Sequence, residues 1–104
     1  MIIYNKLVRD KIPEIIENDG KKYEMKIVSN DEAKLLLAEK IKEEADEFLK
    51  DPSKEEMADI LEVVLSMIKK SNWTFEEIEK IRIQKAEKRG GFEKNIFLVS
   101  TETR

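Results

Sequence analysis

Apolar residues recur at three- and four-residue intervals along much of the chain, the spacing of amphipathic helices. Four helix starts are legible. Asp10 precedes Lys11-Ile12-Pro13, where the proline suits only a first helical turn, and Gly20 supplies a stop after Ile15 and Ile16. Ser29 or Asn30 can cap a second helix over residues 31–50, with Leu35, Leu37, Ala38, Ile41, Ala45, Phe48 and Leu49 expected to form its apolar stripe. Asp51-Pro52-Ser53 interrupts it, and Ser53 with Glu56 has the spacing of a capping box opening a third helix to about residue 70. Met57, Ile60, Leu61, Val64, Leu65, Met67 and Ile68 cover more than one stripe there, so this helix should be the most buried. Thr74 and Glu77 box the start of a fourth helix over about 75–89, ended by Gly90-Gly91. Residues 23–28, 96–99 and 2–4 alternate or cluster as short strands would. The pattern predicts an all-α bundle built on an antiparallel hairpin, with a short N-terminal helix, a fourth helix and short extended segments.

Composition agrees. Gly and Pro together are scarce, 3 and 2 of 104 residues, whereas Leu, Glu, Lys, Ile and Ala dominate. No repeat, low-complexity segment or linker divides the chain, so a single domain over 1–104 is expected. No apolar run approaches the roughly 18 residues of a membrane helix, and the first residues lack a signal-peptide core, so a soluble cytoplasmic protein is expected.

Charge narrows the chemistry. The chain has 20 Lys plus Arg, 23 Asp plus Glu, no Cys and no His. Disulfides, Cys/His zinc sites, Cys–His nucleophiles and Ser–His–Asp triads are thereby excluded within one chain. A ferritin-like di-iron centre, which needs Glu-x-x-His pairs, is excluded too. A formal charge of −3 offers no electrostatic footprint for nucleic acid.

Residues 39–59 concentrate nine acids against four lysines. Glu44 and Glu47 are three apart on one helix, and Glu56 and Asp59 three apart on the next, so each pair shares a face. In an antiparallel hairpin about Pro52, Glu47 lies level with Glu56 and Glu44 with Asp59, on axes about 8–10 Å apart that two side chains can span. Two unit charges 4 Å apart repel by about 4 kcal/mol at an effective dielectric near 20, so such a cluster calls for a cation. Oxygen ligands alone select hard ions, Mg²⁺ first and Mn²⁺ second. The competing reading is a solvated acidic face, or a non-catalytic helical module whose acidic hairpin binds a basic protein partner. Against it, Glu44 and Asp59 sit beside apolar positions where unpaired acids are rarely found.

The run Glu43-Glu44-Ala45-Asp46-Glu47, followed by Glu55-Glu56-Met57-Ala58-Asp59-Ile60-Leu61, resembles the E-E-x-x-E and E-x-x-D signature of the MazG-like all-α nucleoside triphosphate pyrophosphohydrolases. The opening Tyr4-Asn5-Lys6-Leu7-Val8-Arg9-Asp10-Lys11-Ile12-Pro13 and the later Lys85-Ala86-Glu87-Lys88-Arg89-Gly90-Gly91-Phe92 are similar to the ends of its phosphoribosyl-ATP pyrophosphohydrolase-like, or house-cleaning nucleotide pyrophosphatase, branch. The resemblance implies Mg²⁺ held by Glu44, Glu47, Glu56 and Asp59, and cleavage of a nucleoside triphosphate between its α- and β-phosphates to give a monophosphate and pyrophosphate. With no imidazole, a carboxylate must accept the proton, Glu47 first and Glu43 second. Lys6, Arg9 and Lys11, and Lys85, Lys88 and Arg89, are the candidate phosphate-binding cations, although the latter three also suit the C-terminal end of a helix dipole. Gly90-Gly91 follows a helix and is no phosphate loop. Trp73 and Phe75 suit a hydrophobic staple better than stacking on a base. Apolar residues around the third helix, and the resemblance, lead to the expectation of a homodimer or homotetramer.

Overall fold

The computed structural model describes residues 1–103 and is all-helical: α1 (Ile12–Asn18), α2 (Asn30–Lys50), α3 (Lys54–Lys70) and α4 (Phe75–Arg89). The contacts gather the chain into two compact units, Met1–Trp73 and Thr74–Arg104.

Local chemistry sets the helix ends in the first unit. Lys11 is the N-cap of α1 without a side-chain cap bond, and the proline occupies the first turn, where its missing N–H costs nothing. Beyond the last turn, the Gly20 N–H donates to the Glu17 carbonyl (3.0 Å) and the Lys21 N–H to that of Ile16 (3.2 Å). With Gly20 at φ 77°, this is a Schellman closure. The Ser29 hydroxyl accepts from the Glu32 N–H at 3.1 Å and starts α2. Asp51 ends α2 at φ −146°, ψ 79°, since the residue before a proline is driven out of the helical region. α3 closes as α1 does, with Asn72 at φ 59° in the left-handed position and the Trp73 N–H donating to the Ile68 carbonyl at 3.1 Å.

α2 and α3 pack along one another as a hairpin with a very short turn. At the open end, Lys70 Nζ donates to Asn30 Oδ1 at 3.4 Å, so the first residue of α2 meets the last of α3. The core is small: Ala33 and Leu37 from α2, and Val63 and Ile68 from α3, are buried. In the second unit α4 opens on a complete capping box, with Thr74 and Glu77 each accepting from the other's backbone N–H, and ends at Gly90. Gly90 has φ 82°, ψ 175°, a region essentially reserved for glycine.

Two sequence expectations need correcting. No strand forms among the described residues: 2–4, 23–28 and 96–99 remain unpaired, and Ile27, Ile96 and Phe97 are over four-fifths exposed. An extended segment without a partner edge has no ladder to hold it. The stripe expected on α2 is two faces. Leu37 is buried with Ala33, and Leu36, Ile41 and Phe48 are half-buried, but Leu35, Ala38, Ala45 and Leu49 are exposed. At about 100° per residue, the exposed set lies roughly a third of a turn round from the buried one. α3 has the largest share of covered residues of the four helices, as expected, with Val63 and Ile68 buried and Ile60, Val64, Leu65 and Met67 half-buried, although Met57 and Leu61 are about half exposed. Among the described residues, no helix is long and apolar enough to cross a membrane.

Candidate metal centre

The hairpin brings together acids from both helices. Glu44 of α2 and Glu56 and Asp59 of α3 each present a carboxylate oxygen, and these three lie within 4.8 Å of one another. All three residues are half-buried, at the edge of the core. Glu47 is exposed and stands outside this group, yet its charge is one of those acting on Glu56.

Glu56 is the centre's uncompensated member. The Ser53 hydroxyl accepts from the Glu56 N–H at 3.1 Å, as the sequence leads one to expect, but the reciprocal half of the box does not form. The Glu56 carboxylate instead lies among the other acids, with Oε2 shielded from solvent and without a hydrogen-bond partner. Desolvation raises its pKa above the ordinary 4.5, and the neighbouring charges of Asp59, Glu44, Glu47 and Asp51 push it the same way. An unpartnered carboxylate oxygen in an acidic setting fits a bound cation.

The other acids have cations of their own. Lys40 Nζ lies 3.7 Å from Glu44 Oε1, four residues apart on α2, and both side chains are over four-fifths buried. The sequence reading missed Lys40, although its i,i+4 spacing to Glu44 was a legible signal. Arg9 Nη2 donates to Asp59 Oδ1 at 2.7 Å, and Lys6 Nζ donates to Glu43 Oε1 at 3.3 Å. Two of the N-terminal cations expected to meet a phosphate therefore meet the acids themselves. Lys11, at the head of α1, is exposed. Lys85, Lys88 and Arg89 belong to the second unit, with Lys88 and Arg89 in the last turn of α4, where positive charge suits the helix dipole.

Three carboxylates with no nitrogen or sulfur donor offer an all-oxygen set, the donor type that suits hard divalent cations. Comparison with models of protein families, with characterised proteins and with solved structures finds no match.

Proposed function

We propose that the chain is a cytoplasmic Mg²⁺-dependent nucleoside triphosphate pyrophosphohydrolase of the MazG-like type, cleaving between the α- and β-phosphates, with non-canonical nucleotides as candidate substrates. The observation that carries this reading is the convergence of Glu44, Glu56 and Asp59 from two helices around a carboxylate oxygen without a partner. Mg²⁺, when bound, would neutralise phosphate charge and lower the pKa of a coordinated water. Glu44, Glu56 and Asp59 would hold it, with Glu47 at the margin. Glu47 remains the first candidate to accept the proton because it is exposed, whereas Glu43 is engaged by Lys6. Lys6 and Arg9 already stand beside the acids and are the first candidates to receive phosphate oxygens.

Self-association belongs to the same proposal, as a homodimer or homotetramer. Its support is the second apolar face of each hairpin helix: Leu35 and Leu49 are 70% and 80% exposed on α2, and Met57 and Leu61 49% and 54% on α3.

The test is pyrophosphate release from a panel of canonical, deoxy and damaged nucleoside triphosphates, with and without Mg²⁺. Glu44→Gln and Asp59→Asn should each lower Mg²⁺-dependent release at least about a hundredfold while helical circular dichroism is retained, a loss typical of removing a group that stabilises transition-state charge. A panel left intact in Mg²⁺ and in Mn²⁺ would overturn the assignment.

A further inference from the structure

The segment ahead of α1 has no regular secondary structure, yet it is tied to both limbs of the hairpin. Lys6 reaches Glu43 on α2 and Arg9 reaches Asp59 on α3, contacts 37 and 50 residues away in sequence. Asn5, at φ 46°, turns the chain just before the first of them. Arg9 holds Oδ1 of a residue whose carboxylate belongs to the three-acid group, so a cation bound by Asp59 competes with the guanidinium for the same negative charge. Both pairs are half-exposed, the kind of contact a competing charge breaks readily.

We infer that residues 5–10 are a counter-ion strap, with Lys6 and Arg9 supplying positive charge to the acidic hairpin until a divalent cation at the three-acid group displaces Arg9 from Asp59 and frees it for an anion, while Lys6 stays beside it on Glu43. The inference rests on the metal-centre reading above and adds an order of events to it. Cation binding breaks the Arg9–Asp59 pair and an anion then captures the released Arg9, so each ligand favours the other. Reciprocity is thermodynamically required once the strap links the two. The chemical class of anion is one that takes a planar, bidentate donor and a nearby ammonium, as a phosphate chain does.

The experiment is a calorimetric titration of the full chain with Mn²⁺, comparing wild type, the double variant Lys6→Gln/Arg9→Gln and a control, Lys34→Gln. Lys34 pairs with Asp31 at the start of α2, so the control removes one positive charge away from the strap. The double variant should bind Mn²⁺ about three- to tenfold more tightly than wild type, the combined effect of losing two exposed ion pairs, with the control within about twofold. In wild type, amide relaxation should show residues 6–9 gaining fast motion as Mn²⁺ is replaced by saturating diamagnetic Mg²⁺ relative to the cation-free chain. Equal affinities in wild type and double variant, with residues 6–9 unmoved, overturn the strap and leave the metal centre standing. Absence of Mn²⁺ binding in all three chains, together with absence of pyrophosphate release, overturns the metal centre and the strap with it.

Discussion

Glu56 carries two sequence signals that compete for one side chain. Its position after Ser53 is that of a capping-box partner, and its spacing to Asp59 is that of a paired acid. The backbone N–H keeps the first role, while the carboxylate takes the second, with its Oε2 shielded from solvent. Because the folded pKa of this acid is raised, the folded state binds more protons than the unfolded state across the interval above the usual glutamate range. Stability must then fall as pH rises through that interval. Glu56→Gln should therefore raise the Tm of the divalent-free protein at pH 7, and thermal melts should show the advantage shrinking as pH falls towards 4.5. Saturating Mg²⁺ should reverse the order, because only the wild type keeps the full set of ligands; at a hundredfold excess over its dissociation constant, a bound ion adds about 2.7 kcal/mol.

Among the elements, α2 shows how spacing alone misassigns a face. Leu35 and Leu37 look equivalent in the sequence, yet Leu35 is 70% exposed and Leu37 6%. Leu37→Ala should cost about 2–5 kcal/mol in urea unfolding, the range for emptying a buried leucine site. Leu35→Ala should change stability by less than about 0.5 kcal/mol, as surface substitutions do. Equal losses would mean that the two faces of α2 are buried alike. α4 is held by local devices: a full capping box, and a pair in which Arg82 donates Nε to Glu79 Oε2 at 3.0 Å and Nη2 to Oε1. Hydrogen bonding from Arg82 holds Glu79 below its ordinary pKa. This contribution is present above the usual glutamate range and is lost as pH falls through the lowered value, so α4 should fray on acidification while the α2–α3 hairpin gains from protonation of Glu56.

For the whole molecule, the decisive quantity is apolar surface that the chain leaves uncovered. Among the described residues, only Ala33, Leu37, Val63 and Ile68 form the buried core, whereas Met57, Leu61, Leu35 and Leu49 stay open on the hairpin. A second copy is the partner that the proposed function assigns to this surface. Size-exclusion chromatography with light scattering should find a dimer or larger assembly at micromolar concentration, and Met57→Lys with Leu61→Lys should shift it to monomer. A wild-type chain that stays monomeric would remove the association from the proposal.

Much of this was legible in one dimension, because helix starts and stops depend on neighbours in the chain. Ser29, Ser53, Thr74, Pro52, Gly20 and Gly90 act within a few residues of where they stand, so the sequence by itself determined the four helices and their ends. It also determined that one hairpin would carry acids on both limbs, since a short turn leaves little freedom of register. What only the tertiary structure decided depends on contacts made across distance. Packing selected which of two apolar faces of α2 became the core, left the would-be strands without edges to pair with, and set Arg9 and Lys6 on acids far along the chain. Ion pairs and burial are properties of neighbours in space, and spacing along the chain constrains those neighbours only within a few helical turns.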